Sequence, residues 1–392
     1  MNWGKIVAVR TLLEVGGHVD ERFGAVRDAF WENFVLHDEL GAAVCVVVDG
    51  VVVVDLWGGH RDVDRRRAWE RDTLVDVFSV GKALLATAIA RLVGVGALDY
   101  DATIASVWPE FAAQDKGGIT LRQLLSHTAG LPSVRQRLSP NAMLLPDAMR
   151  EALAGEAPWW VPGSVHGYHV NTLGFLAGAV IERVTGRSVG AYLREEVCGP
   201  IGSDVHVGLR GRDLGRVAEF RWPLPAPPEA PPEGLEGHDL MRYNAYWNPS
   251  GLSGAGVVNT VKWRTAQHPS TNAHATARGI ARLFDALAHH GRFNGYDVCA
   301  QAALDEATTE ASRGEDLVLL RPSRFGLGFQ LTMPERPIGR SARGFGHFGA
   351  GGSLGFCDPT ANVAFGYVTN DMGPRWQNPS NRGLSEAGFA SL

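Results

Sequence analysis

Cysteine is scarce in this chain of 392 residues. The four cysteines, Cys45, Cys198, Cys299 and Cys357, lie far apart, and none belongs to a C-x-x-C pair. Secreted disulfide frameworks use several cysteines at short, regular spacings. The pattern therefore favours reduced thiols and a cytoplasmic location.

Long apolar runs are also missing. Only four apolar residues separate Lys5 from Arg10, too few for the core of a signal peptide. No run elsewhere reaches the length that spans a bilayer. We therefore expect neither a secretory leader nor a membrane anchor.

An excess of positive charge is missing too. The chain has 37 Lys and Arg against 42 Asp and Glu, for a net charge of -5, and these charges are scattered. Without a basic face, nucleic acid is excluded as a partner. The 45% hydrophobic content is ample for one large domain or two lobes.

Lysine is the rarer cation, since every cationic side chain other than Lys5, Lys82, Lys116 and Lys262 is arginine. Arginine cannot lose its proton in a protein, so a lysine at position 82 permits proton transfer. Ser79 lies three residues earlier, just before a run of small apolar helix formers. This spacing predicts both side chains on one face of a helix N-terminus.

Such a pair can make a nucleophile. A serine hydroxyl reacts only when a neighbour accepts its proton, and a lysine can do so only when burial or nearby cations lower its pKa. The alternative is a solvated lysine beside an N-cap serine. The motif therefore needs partners elsewhere in the chain.

The first part of the chain predicts a helix on an antiparallel sheet. Two apolar, valine-rich runs, 42–48 and 51–57, meet at Asp49-Gly50, which is a typical hairpin turn. Unbroken valines predict strands buried on both faces. Residues 20–40 look helical, and the charged residues 61–71 predict a solvated loop.

Tyr168 stands in an aromatic-rich stretch before a helix predicted over 173–184. A tyrosine here is either a core anchor or a proton-transferring phenol. Beside Lys82, its pKa would fall from about 10 toward the working range.

Three histidines favour structural roles over chemistry. His127 ends a short capped helix within 119–131, where a histidine usually satisfies loop carbonyls. His166 and His169 have H-x-x-H spacing but lack a third ligand. We expect no metal and no organic cofactor.

Residues 221–237 are rich in proline and glutamate and predict an irregular surface segment. Aromatic residues that surround or follow it could form the wall of an acyl pocket or pack a long loop. They are Trp222, Tyr243, Tyr246, Trp247 and Trp263. A capped helix is then predicted to begin at 269–272 and to run over 277–289.

Two apolar runs near the end, 344–358 and 363–369, predict antiparallel strands around a polar turn. The glycines of the first run leave its backbone bare for something to approach. A free amide there, opposite the amide of Ser79, would make a two-donor oxyanion hole for a substrate carbonyl.

Three motifs together resemble the serine β-lactamase and penicillin-binding-protein superfamily. They are Ser79-x-x-Lys82, Tyr168 in Gly-Tyr-His, and His347-Phe348-Gly349-Ala350. Their order and spacing are most similar to the class C-like branch, which includes family VIII carboxylesterases and related acyltransferases. The resemblance spans about residues 23–372.

The resemblance implies a serine acyl-enzyme mechanism. Ser79 would be the nucleophile, and Lys82 and Tyr168 would share the general-base role. The amides of Ser79 and Ala350 would form the oxyanion hole. His347 takes the place usually held by lysine in the third motif. We expect the substrate-contacting residues to be His347, Gly349 and Trp247.

Two departures from the family pattern point to neutral esters. The asparagine usual two residues after the tyrosine is replaced by Val170, and the adjacent Asn171 should face elsewhere. His347 is only partly charged near neutrality, whereas a lysine would grip a β-lactam or peptide carboxylate.

A rival motif is the G-x-S-x-G around Ser353, typical of the nucleophile elbow of α/β-hydrolases. That elbow needs a strand, a turn and a helix, with a histidine downstream. No histidine follows Ser353, and strand-like sequence continues after it. We interpret the match as a coincidence within a glycine-rich strand.

The predicted fold is α/β, with an antiparallel sheet flanked by helices and an inserted, mostly helical lobe. Residues 1–85 and 269–392 form the α/β lobe, residues 86–268 the insert, and the site lies at their junction.

The predicted function is a carboxylesterase acting on small or short-acyl esters, with a small-molecule substrate as its partner. Alternatives are an acyltransferase using the same acyl-enzyme, a weak β-lactamase or D-amino-acid peptidase, and a catalytically silent binder. The sequence leaves the oligomeric state open.

Overall fold

The computed structural model describes residues 14–222, 232–373 and 377–392. Over these residues the largest feature is a nine-stranded antiparallel sheet. Its strands, in order across the sheet, are β1 (Val15–Val19), β3 (Val51–Gly59), β2 (Gly41–Val48), β14 (Val363–Thr369), β13 (Leu354–Asp358), β12 (Phe345–Phe348), β11 (Gln330–Leu331), β10 (Pro322–Phe325) and β9 (Ser312–Glu315). Two smaller sheets hold β4 (Val75–Asp76), β6 (Ala273–Ala275) and β5 (Val205–Val207), and β7 (Arg292–Phe293) with β8 (Tyr296–Asp297).

Helices connect and cover these strands. In chain order they are α1 (Gly24–Leu36), α2 (Gly81–Gly94), α3 (Leu121–Leu125), α4 (Pro146–Gly155), α5 (Thr172–Thr185), α6 (Val189–Tyr192), α7 (Gly237–Trp247), α8 (Val261–Thr265), α9 (Ala277–Ala288), α10 (Gln301–Ala307) and α11 (Pro379–Ala390). Within the described ranges, none is long and apolar enough to cross a bilayer.

Both faces of the large sheet are buried under helices. Successive side chains of a strand point to opposite faces. Ala43, Cys45 and Val47 of β2 therefore join one core with α2 and α9. Val44 and Val46 join a second core with α1 and α11. This arrangement confirms the predicted antiparallel sheet flanked by helices.

The hairpin at Asp49-Gly50 is confirmed, and both residues have positive φ angles, 49° and 76°. Burial on both faces holds for β2 but is wrong for the start of β3. Val51 and Val52, which directly follow the turn, are 60% and 38% exposed.

Two predicted boundaries are wrong for local reasons. The helix α9 begins at Ala277, where the Thr276 hydroxyl accepts a hydrogen bond from the Gly279 amide. The strand β6 lies between this cap, Thr276, and residues 269–272, where the start of the helix was predicted. Residues 344–358 form two strands rather than one, because the chain reverses through Gly351 and Gly352, whose φ angles are 82° and 124°.

The predicted division of the chain into two lobes stays a prediction. Each strand of the large sheet comes from 15–59 or 312–369, while the described part of 86–268 is mainly helical. Most of the predicted irregular segment, residues 223–231, and the first 13 residues of the chain lie outside the described residues.

Glu39 is a buried acid whose titration should affect stability. Burial raises its pKa from 4.5 to about 7, although the Tyr367 hydroxyl donates a hydrogen bond to it. The folded state therefore keeps a proton that the unfolded chain loses. Glu39 should lower stability as pH rises from 4.5 to 7.

Replacing this acid with an amide should remove that loss. We expect Glu39→Gln to raise the free energy of unfolding at pH 8 by about 1–3 kcal/mol and to flatten its pH dependence between 5 and 7. Chemical denaturation across this pH range measures both effects. The exposed Glu21→Gln is the control, and parallel pH curves for wild type and Glu39→Gln would contradict the expectation.

Candidate active site

Ser79 lies in a single 3-10 turn, Phe78–Val80, directly before α2, as the sequence predicted. Phe78 has a φ of 46°, an unusual angle for a bulky residue. Asp76 supports this angle, because its carboxylate accepts a hydrogen bond of 2.9 Å from the Phe78 amide. The turn leaves Ser79 only 7% exposed.

Asp76 is itself held by the indole of Trp263, which donates a 2.8 Å hydrogen bond to Oδ2. Burial raises the pKa of Asp76 to about 8 against the opposing effect of these two hydrogen bonds. Trp263 is fully buried. It therefore supports the Ser79 turn rather than lining a pocket.

The amine of Lys82 is fully buried beside Ser79. Its Nζ lies 3.1 Å from Ser79 Oγ, 2.5 Å from the Val170 carbonyl oxygen and 3.1 Å from the Ser270 carbonyl oxygen. Burial holds the pKa of Lys82 well below 10.5. A neutral amine has two N–H groups for the two carbonyls, which leaves its lone pair facing the serine hydroxyl.

Tyr168 is brought to the same point. Its phenol is hydrogen-bonded to Ser79, and its ring centroid lies 4.8 Å from Lys82 Nζ. Burial raises its pKa well above 10, so the expected lowering by Lys82 is wrong. Burial of the phenol dominates its titration. Tyr168 therefore remains a neutral phenol, which can give its proton and then be reprotonated.

His347 is buried and its Nε2 lies 3.5 Å from the Tyr168 hydroxyl. Its Nδ1 lies 2.7 Å from the Phe348 carbonyl oxygen, which can only accept, so Nδ1 carries the proton. Burial, reinforced by Lys82, lowers its pKa to about 3. The expected partial charge near neutrality is therefore wrong, and Nε2 presents a lone pair to Tyr168.

The end of β12 lies against the Ser79 turn. A Cβ atom added to Gly349 would lie 2.3 Å from the Val77 carbonyl oxygen, so only glycine allows this approach. Ala350, the next residue, begins the 3-10 turn that leads to β13. The glycine-rich stretch therefore brings the backbone of β12 close to Ser79.

Trp247 ends α7 and is half-buried. Its ring packs against Tyr246, with 6.2 Å between ring centroids. Tyr246 in turn packs on the cluster around Tyr168. Contact of Trp247 with substrate stays a prediction.

Neighbouring polar residues have structural partners. Nδ1 of His127 accepts a hydrogen bond from the His169 amide, and the ring of His169 accepts one from Leu131. The side chain of Asn171 donates to the Ala245 carbonyl and accepts from the Thr271 hydroxyl, and its facing away from a substrate stays a prediction. Among the described residues, no group of His, Cys, Asp and Glu side chains is placed to hold a metal ion.

Ser353 does not form a nucleophile elbow. It is fully buried, and β13 follows it instead of a helix. This supports the interpretation of its motif as a coincidence.

Sequence reasoning missed three residues around the site. Asp76 could have been found from its place three residues before Ser79. The Ser270 carbonyl could not, because any residue supplies a carbonyl. Asp316 accepts a hydrogen bond from the Tyr168 amide, a contact between residues distant in sequence.

Residues 28–386 match the Beta-lactamase family model. Because this match covers most of the chain, the protein belongs to the Beta-lactamase family.

Three known proteins are similar over nearly the whole chain. A penicillin-binding protein homologue from Caulobacter crescentus has a TM-score of 0.89 and 40% identity, over 97% of this chain and 100% of that one. A family VIII carboxylesterase has a TM-score of 0.89 and 36% identity, over the same shares of 97% and 100%. Esterase/beta-lactamase LipL from Mycobacterium tuberculosis is 34% identical, over 91% of this chain and 83% of that protein. The fold is therefore the β-lactamase/transpeptidase-like one.

The Trp263–Asp76 hydrogen bond can be tested by removing only its donor. Trp263→Phe should lower the free energy of unfolding by about 2–4 kcal/mol, because it leaves a buried oxygen of the Asp76 carboxyl group unpaired and opens a cavity. Denaturant titration measures this change. The matched control is Trp247→Phe, which should cost under about 1 kcal/mol. Equal losses of the free energy of unfolding in the two variants would contradict the role of Trp263 as a hydrogen-bond donor to Asp76.

Proposed function

We propose that this protein is a serine carboxylic ester hydrolase that forms an acyl-enzyme on Ser79. Its substrates would be small esters with short acyl groups. The observation that carries the proposal is the buried amine of Lys82, which contacts the Ser79 hydroxyl and two carbonyls. Similarity to a family VIII carboxylesterase and to a protein named Esterase/beta-lactamase supports the reaction class.

In the first half-reaction, Ser79 Oγ attacks the ester carbonyl carbon and its proton passes to the neutral amine of Lys82. The C–O bond to the alcohol then breaks. The leaving alkoxide takes a proton from the Tyr168 hydroxyl, and Tyr168 is reprotonated from Lys82. The raised pKa of the phenol suits this relay, because it disfavours a lasting phenolate.

Charge on the carbonyl oxygen would be stabilised by the amides of Ser79 and Ala350. The close approach of Gly349 to Val77 supports this pairing, since it brings the two turns together. Water then attacks the acyl-enzyme carbon while its proton passes through Tyr168 to Lys82. The bond between that carbon and Ser79 Oγ breaks, Lys82 returns the proton to Ser79, and the carboxylic acid leaves.

Two residues favour neutral esters over β-lactams. Val170 offers Lys82 its backbone carbonyl and has no side-chain amide for a substrate. His347 is neutral at pH 7, with a pKa of about 3, so it cannot attract a carboxylate as a lysine would. We therefore propose that p-nitrophenyl butyrate is turned over faster than a chromogenic cephalosporin.

The nucleophile can be tested by serine substitution. Ser79→Ala should abolish the burst with p-nitrophenyl butyrate, and intact mass should show an acyl adduct on the wild type and on Ser353→Ala but not on Ser79→Ala. Ser353→Ala is the matched control, since Ser353 is a second buried serine, in the rival motif. Turnover that survives Ser79→Ala, or is lost only in Ser353→Ala, would overturn the proposal. Absence of any wild-type adduct would favour a silent binder.

Adding alcohol acceptors during the same reaction separates hydrolysis from transfer. We expect free acid as the main product. A predominantly transesterified product would indicate an acyltransferase instead.

The proton acceptor can be tested with a second buried lysine as the control. Lys82→Arg cannot lose its proton, so acylation should slow by about 10²- to 10⁴-fold. Lys116 is also fully buried, but its Nζ donates to three carbonyls, those of Ala113, Ala154 and Glu156. Lys116→Arg should change stability and leave acylation per folded molecule unchanged.

The wild-type acylation rate should rise with pH as Lys82 loses its proton, with a midpoint well below 10.5. Stopped-flow acylation measures this profile. A midpoint near 10.5, or a Lys82→Arg variant as fast as wild type, would contradict a neutral amine.

A further inference from the structure

The clearest unused feature near the site is a buried carboxylate behind Tyr168. Asp316 lies in the loop between β9 and β10, the hairpin at one edge of the large sheet. It is 1% exposed. No step of the proposed reaction uses it.

Asp316 accepts four hydrogen bonds. Its Oδ1 accepts from the Val318 and Leu319 amides, each at 2.9 Å, which folds the loop around the carboxylate. The same oxygen accepts from the Tyr168 amide at 3.0 Å. Its Oδ2 accepts from the Ser323 hydroxyl at 3.0 Å. One carboxylate therefore joins its own loop to the backbone of Tyr168.

Two further contacts bind the same hairpin to the Tyr168 segment. The Leu317 amide donates to the His166 carbonyl at 3.2 Å. The ring of Phe325 stacks on the ring of Tyr168, with centroids 5.6 Å apart and an interplanar angle of 8°. The hairpin thus holds both the backbone and the ring of Tyr168.

Displacement at this point would affect more than the phenol. Two residues further along the same segment, the Val170 carbonyl accepts a hydrogen bond from Lys82. A shift of Tyr168 would therefore move both the proton relay and an acceptor of the amine.

We propose that Asp316 is a positioning residue that fixes Tyr168 and the Val170 carbonyl against Lys82. The inference rests on the proposed function, because it assigns Tyr168 a part in acylation. Asp316 does not contact the reacting atoms. Its removal should lower the acylation rate constant and leave the substrate dissociation constant, both measured in single turnovers, nearly unchanged.

Asp358 is a matched control. It is the last residue of β13, at the end of that strand that lies away from Gly349. It is fully buried and also accepts from three backbone amides and one serine hydroxyl. The amide donors belong to Arg340, Ser341 and Thr360, and the hydroxyl to Ser341. Asp316 and Asp358 therefore accept the same set of hydrogen bonds in different parts of the fold.

Single-turnover acylation by p-nitrophenyl butyrate tests the inference. Asp316→Ala should slow acylation about 100-fold, and Asp316→Asn, which keeps the shape with a weaker acceptor, about tenfold. The two Asp358 variants should lose similar stability and acylate like wild type. If Asp316→Ala does not fold, Asp316→Asn decides the question.

A double-mutant cycle with Tyr168→Phe shows whether Asp316 acts by positioning Tyr168 or by stabilising the fold in general. Adding Asp316→Asn to Tyr168→Phe should slow acylation by clearly less than the tenfold expected in the wild-type background, because the phenol is already gone and only the Val170 carbonyl remains to be positioned. Fully multiplying effects, or wild-type acylation by both Asp316 variants, would overturn the inference alone. If Tyr168→Phe itself acylates like wild type, the role of Tyr168 fails and the inference fails with it.

Discussion

The proposed chemistry of this protein depends on an amine that is enclosed, among the residues that the structure describes, without an acid to pair it. Lys82 is fully buried, and the hydrogen-bond partners of its Nζ are one hydroxyl and two carbonyls. Lys116 is equally buried but meets three carbonyls, which matches the three N–H groups of an ammonium. Replacing one carbonyl by a hydroxyl leaves room for a lone pair. Burial and the set of acceptors therefore act together to favour the form that can take a proton.

Patterns confined to neighbouring residues predicted much of the fold. Asp49-Gly50 between valine-rich runs located the hairpin, and the apolar run after Ser79 located α2. The failures concern properties set by distant parts of the chain. Exposure of Val51 depends on what covers the sheet, and the short strand β6 exists only because β4 and β5 pair with it.

In the candidate site, too, the sequence predicted the properties set by neighbouring residues and missed those set by distant parts of the chain. The spacing of Ser79 and Lys82 is a local property, and motif order identified Tyr168 and His347. The directions of their pKa shifts depend on burial, which a sequence does not contain. That is why the phenol was expected to be more acidic and the imidazole partly charged, whereas both are neutral in the folded protein. Asp316 was missed because its contact joins segments distant in sequence.

The topology of the large sheet also constrains synthesis on the ribosome. One of the two neighbours of strand β2 in the sheet is β14, which is made over 300 residues later in the chain. Ser79 likewise leaves the exit tunnel long before the β12 backbone that packs beside it. A nascent chain must therefore keep an open, hydrophobic strand edge until β14 has been synthesised, which is the situation in which holding chaperones are most useful.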